Sequence, residues 1–188
     1  MKIYPYKDYQ EYVQAQTEAN LQKIKLVHVT RNTVSHISRM HGPASMILCH
    51  GTRNAAEQKL FQQFYPQATI IGTEISHTAA DFPMTVQWDF HDRRQDWIRQ
   101  FDIVYTNSFD HSIDPSKALT TWSEQLHDQG CLYLEHSFHV KSRSWDPLEI
   151  EINELEDLFV DIGLEILSIT PTSAKTGLGS QIYQLRRT

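Results

Sequence analysis

From residue 45 onward the chain alternates short apolar runs with segments of helical spacing, and that alternation constrains the fold more than any other feature. The runs cover 45–49, 68–75, 85–88, 101–106 and 130–135, and several end on a polar or acidic residue. Helical patterns are read over 55–64, 115–128 and 148–161, the second opened by Asp114-Pro115 as N-cap and first-turn proline. Strands that are apolar throughout, rather than alternately apolar and polar, belong in a parallel sheet covered on both faces. Two further strands, 164–169 and 180–185, are joined by 170–179, which has no helical pattern, so they are expected to pair as an antiparallel hairpin. The expectation is an α/β, doubly wound, mostly parallel seven-stranded sheet with an antiparallel last strand and helices on both faces, five β-α repeats leading to the strand and hairpin return.

Ahead of this pattern, 7–25 reads as a polar helix with Tyr9, Tyr12, Val13, Leu21 and Ile24 at irregular helical spacing. A second helix over 30–41 stops at Gly42-Pro43. Residues 1–44 are therefore taken as a helical lead packing on a domain of residues 45–188.

The charge balance narrows the function. With 17 basic and 23 acidic residues the net charge is −6, and binding to a nucleic-acid backbone needs clustered Lys and Arg. No partner of that kind is expected. No apolar stretch reaches the roughly 18 residues of a membrane span, and the opening MKIYPYKDYQEY lacks the apolar region of a signal peptide. Cys49 and Cys131 are the two cysteines, which suits a reducing compartment, so a cytoplasmic location is expected.

In doubly wound sheets ligands sit beyond the carboxyl ends of the strands. The first strand ends in His50-Gly51-Thr52-Arg53-Asn54, where the glycine permits a sharp turn or close approach of a ligand. Neither G-x-G-x-x-G nor a G-K-[ST] phosphate loop is present. The second ends in Gly72-Thr73-Glu74-Ile75, which places a carboxylate about 20 residues beyond the glycine turn, the spacing at which an acid holds a ribose diol. The third ends in Asp89-Phe90, an acid and an aromatic suited to an adenine ring. The fourth ends in Asn107-Ser108-Phe109-Asp110-His111, and the fifth in Glu135-His136, with His139 beyond.

These segments resemble the class I S-adenosylmethionine-dependent methyltransferases over about residues 45–188. The resemblance rests on MILCHGTRNAAE, IIGTEIS, QWDFHD, FDIVYTNSFDHS and GCLYLEHS. Where the family usually has E/D-x-G-x-G-x-G, this chain has C-H-G-T-R-N-A. The resemblance implies S-adenosylmethionine as cofactor. It implies that His50, Gly51, Thr52 and Arg53 approach its methionine part, that Glu74 and Ile75 flank the ribose and that Asp89 and Phe90 face adenine. The resemblance also implies that Asn107 and Ser108 stand beside the transferred methyl group. Arg53 and Glu57, one helical turn apart, either pair with each other or hold the cofactor's carboxylate and ammonium.

His111 is the candidate general base, because its ordinary pKa lies near working pH, with Asp110 orienting it or binding substrate. The carboxylates and imidazoles at positions 110, 111, 135 and 136 match no closed zinc pattern. They are read as a hydrogen-bonded polar pocket, and no metal is assigned. His28, His36, His41, His77 and His127 are read as unpaired surface or helix-end residues. The expected function is methyl transfer to a small molecule, at a sugar or metabolite hydroxyl. The alternatives are a cofactor-binding module without turnover and an enzyme using the same cofactor for other chemistry. A homodimer is left open.

Overall fold

The computed structural model describes residues 1–138, 141–172 and 180–188. In chain order the elements are β1 (Lys2–Ile3), α1 (Tyr9–Gln22), α2 (Arg31–His41), β2 (Met46–His50), α3 (Ala56–Phe64), β3 (Thr69–Glu74) and β4 (Thr85–Gln87). They continue with β5 (Phe101–Thr106), α4 (Pro115–Gln125), β6 (Leu126–Ser137), β7 (Leu148–Glu149), α5 (Ile152–Ile162), β8 (Leu164–Thr172) and β9 (Ser180–Arg187).

The main sheet has seven strands in the order β4-β3-β2-β5-β6-β9-β8. All neighbours from β4 to β6 are parallel, and β9 alone runs against both its neighbours. Because the chain proceeds from β2 outward to β4 and then returns to β5 on the other side, the order reverses between β2 and β5. The crevice past their carboxyl ends is where this topology places a ligand.

Side-chain alternation along the strands divides the core in two. Ile47, Cys49, Ile103, Tyr105 and Tyr133 face α2 and α3, packing on Val34, Ile37 and Phe61. Leu48, Val104, Leu132 and Leu134 face α4 and α5, packing on Leu119, Trp122, Leu155 and Phe159. Both cysteines are free and buried. No described helix is long and apolar enough to cross a membrane.

Local chemistry sets the helix ends. Asp114 accepts from the Lys117 N–H at 3.0 Å and Pro115 occupies the first turn, so α4 begins where the sequence places it. Thr30 caps α2 by accepting from the Thr33 N–H at 3.1 Å, and Gly163 ends α5 at φ 80°.

Three expectations need correction. The β3–β4 and β4–β5 connections carry only 3₁₀ turns, over His77–Asp81 and Gln95–Trp97, so the helical half of the β-α unit is complete only at α3, α4 and α5. Pro83 and the short spacing before β4 leave no length for a helix there. The helix expected over 148–161 begins at Ile152. Leu148 and Glu149 form β7, which pairs antiparallel with β1 in a small second sheet the sequence pattern did not announce. Strand β6 is also longer than the expected 130–135, and α4 correspondingly stops at Gln125. His139 and most of the 170–179 connection lie outside the described residues.

Candidate functional site

Two pockets open at the reversal point and meet at Gly51, Arg53, Ser108 and His111. The first is a cleft of about 520 Å³, part of it open to solvent, and α1 roofs it with Tyr12, Gln16, Ala19 and Asn20. Glu74, Ile75, Trp88, Asp89 and Phe90 line its opposite walls. The second, about 1140 Å³, is strongly polar. Thr52, Glu57, Asn107, Asp110, Glu135, His136 and Asp146 line it, together with His28, Lys23 and Arg143.

The loop after β2 is built around one glycine. Gly51 has φ 69°, and a Cβ there would stand 2.6 Å from Ser108 Cβ and 2.7 Å from its Oγ. Ser108 Oγ donates to the Gly51 carbonyl at 3.0 Å, so loop and β5 end are clasped together. Two residues with side chains then adopt positive φ, Arg53 at 40° and Ala55 at 59°. These are the two positions where the methyltransferase motif has its further glycines. The backbone keeps the left-handed turns at a cost of about 1–2 kcal/mol per residue.

Glu74 is 7 % exposed and secures the same loop. Its carboxylate accepts from the Ser76 N–H at 2.9 Å and the Arg53 N–H at 3.1 Å. Burial lifts its pKa above the usual carboxylate range, with those N–H groups opposing. Asp89 differs. Burial pushes it up, but the hydrogen bonds from His91 and Tyr9 outweigh this and hold it below the usual range. His91 Nε2 accepts from the Ile113 N–H at 3.3 Å, so Nδ1 carries the proton it donates to Asp89 at 2.6 Å. Tyr9 OH donates to the other Asp89 oxygen at 2.7 Å.

His111 stands where the pockets join. Gln16 Oε1 accepts from its Nδ1–H at 2.8 Å, which leaves the Nε2 lone pair free. Asp110 is 3.9 Å from Nε2, so the residue that fixes the imidazole is Gln16 of α1, not the neighbouring acid. Asp110, His111 and Asp146 also converge, one ligand atom from each lying within 4.8 Å of the others. Asp146 is meanwhile bound by Arg143 at 2.8 Å.

Gly51, Thr52, Arg53, Glu74, Ile75, Asp89, Phe90, Asn107, Ser108, Asp110 and His111 all border one pocket or both. His50 is the correction: its ring lines neither. Residue 50 shares the face of Leu48, so its imidazole lies against Trp122, with centroids 5.3 Å apart, and bonds to Gln125 and Thr73 at 2.8 and 3.0 Å. Burial pushes its pKa down to about 4, so the ring is neutral. One histidine read as unpaired is not: His127 bonds to Asp102. His28 is exposed, as read, and borders the polar pocket.

Tyr12, Gln16 and Asn20 were missed. They lie four residues apart on the one buried face of α1. A polar i, i+4, i+8 stripe in a helix without an apolar face is the signal that would have found them.

The overall arrangement matches solved structures across nearly its full length. A 1,6-didemethyltoxoflavin-N1-methyltransferase from Burkholderia thailandensis, solved with 1,6-didemethyltoxoflavin and S-adenosylhomocysteine, superposes with TM-score 0.75 at 14 % identity, covering 98 % of this chain and 92 % of that one. This is the Rossmann-like methyltransferase fold. A geranyl diphosphate C-methyltransferase from Streptomyces coelicolor, in complex with Mg²⁺, geranyl diphosphate and S-adenosylhomocysteine, matches with TM-score 0.75 at 9 % identity over 94 % and 98 % of the two chains. A magnesium protoporphyrin IX methyltransferase from Synechocystis with bound S-adenosylmethionine matches at 0.66, with 13 % identity over 98 % and 100 %. No protein-family model and no curated protein matches the sequence, so the likeness is one of methyltransferase fold.

Proposed function

We propose that the chain is an S-adenosylmethionine-dependent methyltransferase acting on a hydroxyl of a small polar molecule, a sugar or other metabolite. The observation that carries this reading is the meeting, at His111 with its free Nε2, of the pocket lined by Glu74, Asp89 and Phe90 and the larger polar pocket. The cofactor fits the residues present. Gln16 Nε2 and Glu57 Oε2 are buried polar atoms without partners, one in each pocket, and so await a ligand. Glu74 would hold the ribose hydroxyls, while Phe90, Trp88 and Tyr12 enclose the base beside Asp89. Gly51 lets the backbone approach closely. When bound, the cofactor supplies an electrophilic methyl group on a positively charged sulfur.

The protein's own part is placement and proton removal. Holding acceptor and donor in line supplies most of the acceleration for such a transfer. His111 Nε2 takes the proton of the acceptor hydroxyl, and Asp110 at 3.9 Å faces the imidazolium that results. A binding module without turnover loses its main support, because the altered motif keeps its left-handed turns at Arg53 and Ala55.

Calorimetry with S-adenosylmethionine and S-adenosylhomocysteine tests the cofactor, and labelled methyl transfer into pooled metabolites tests the reaction. Failure of both ligands to bind would sink the whole reading. Transfer onto nitrogen or carbon would sink the hydroxyl assignment.

A further inference from the structure

One wall of the polar pocket carries positive charge that the pocket's acids do not answer. Lys23, His28 and Arg53 border it there. Arg53 borders the first pocket as well, whereas Lys23 and His28 border the polar one alone. Lys23 closes the C-terminal end of α1, and its Nζ lies 5.6 Å from the ring centroid of Trp145. His28 is exposed on the segment leading to α2. That segment is pinned to the loop after β2. Asn54 Nδ2 donates to the Ile24 carbonyl at 2.7 Å and the Leu26 carbonyl at 3.1 Å, and Arg53 Nη1 reaches the latter at 3.4 Å.

The acids nearby are engaged elsewhere. Asp146 is held by Arg143, and Asp110 stands beside His111. Glu135 accepts from Tyr105 OH at 2.8 Å and Thr172 Oγ1 at 2.9 Å. Burial lifts Glu57 to about 7, and the ion pair with Arg53 that the spacing allowed is not formed. Among the described residues no carboxylate comes within ion-pair distance of Lys23 or Arg53. Residues 139–140 and 173–179 contain no Asp or Glu, so they supply no counter-ion either. The imbalance reaches His28. Burial lowers its pKa, and the fields of Arg53, His111 and Lys23 press the same way against Asp110. A helix C-terminus favours a lysine, which accounts for Lys23 alone but not for a guanidinium and an imidazole facing the same space. An anion placed there would accept charge-assisted hydrogen bonds from all three.

We propose that Lys23 and His28, with Arg53 at their inner edge, form an anion subsite for the methyl acceptor. The molecule methylated then carries a carboxylate or a phosphate besides the hydroxyl that His111 deprotonates. The proposal rests on the methyltransferase reading above and adds the class of acceptor, an anionic hydroxy compound rather than a neutral sugar. Because Lys23 and His28 lie off the first pocket, the subsite serves the acceptor and not the cofactor.

The test uses protein saturated with S-adenosylhomocysteine, so that the cofactor's own carboxylate is already in place. Acetate and inorganic phosphate are titrated in separately while the His28 ring signals are followed by NMR. At least one anion should give a saturable shift, and Lys23→Gln should weaken it by about 5- to 30-fold. The tighter of the two tells carboxylate from phosphate. Calorimetry should give the same S-adenosylhomocysteine affinity with and without the substitution. In the labelled-methyl assay with pooled metabolites, the product should be retained by an anion exchanger. No saturable shift with either anion, an anion affinity that ignores Lys23→Gln, or label confined to unretained products would overturn the subsite with the methyltransferase reading intact. An equal loss of S-adenosylhomocysteine affinity in Lys23→Gln would overturn it too, by giving the charge to the cofactor. If S-adenosylhomocysteine does not bind the unaltered protein, the methyltransferase reading falls and this proposal with it.

Discussion

Gly51→Ala places a methyl group against Ser108 at 2.6 Å from its Cβ, on a backbone held at φ 69°. Two separate costs follow. The left-handed conformation costs a residue with a Cβ about 1–2 kcal/mol. The overlap adds about 1–3 kcal/mol, because Ser108 Cβ is fixed to the end of β5 and cannot swing aside like a side-chain tip. The single variant should therefore lose about 2–5 kcal/mol in urea denaturation.

Ser108→Gly alone removes the 3.0 Å hydrogen bond to the Gly51 carbonyl and frees the backbone, together about 1–2 kcal/mol. In the double variant the overlap disappears while the left-handed cost stays. The two changes should then fall short of additivity by about 1–3 kcal/mol. Additivity to within about 0.5 kcal/mol would refute the claim that Ser108 is what forbids a side chain at position 51.

His111→Ala should leave S-adenosylhomocysteine affinity unchanged and lower turnover by about 10²- to 10⁴-fold, read from single-turnover rates. Glu74→Ala should weaken the same ligand by about 1–3 kcal/mol and also lower the urea midpoint, because the Arg53 and Ser76 N–H groups lose their acceptor. Glu57 has a folded pKa of about 7 against an ordinary 4.5, so the folded chain binds its proton more tightly. That contribution is full below pH 4.5 and is lost as pH rises toward 7. Glu57→Gln should remove about 3 kcal/mol of this downward slope in a pH series of denaturation midpoints.

The sheet was readable because its inner strands are buried on both faces and so carry mainly apolar residues, as in Met46–Cys49 and Ile103–Tyr105. The ends of those strands were readable for a related reason: Gly51, Glu74, Asp89 and Asn107 break the apolar runs abruptly. What escaped was whatever depends on partners distant in sequence. Leu148 and Glu149 read as helix because nothing near them announces Lys2 and Ile3 as their pairing partners. His50 was placed by its position along β2, but the parity of the strand sends its ring to Trp122. The roofing residues of α1 carry no apolar periodicity, since their work is to hydrogen-bond across a cavity rather than to fill a core.

That manner of attachment bears on how a ligand gets in and out. Tyr12, Gln16 and Asn20 are the buried residues of α1, and none belongs to either apolar cluster among the described residues. Detaching the helix would break a handful of bonds and uncover one large ring, that of Tyr12, rather than either apolar cluster, so its opening should be less costly than global unfolding. Amide protons in α1 should exchange with solvent well before those of β2 and β5 in the free protein, and should slow when S-adenosylhomocysteine is added. The roof of the pocket would then set the residence time of whatever lies beneath it.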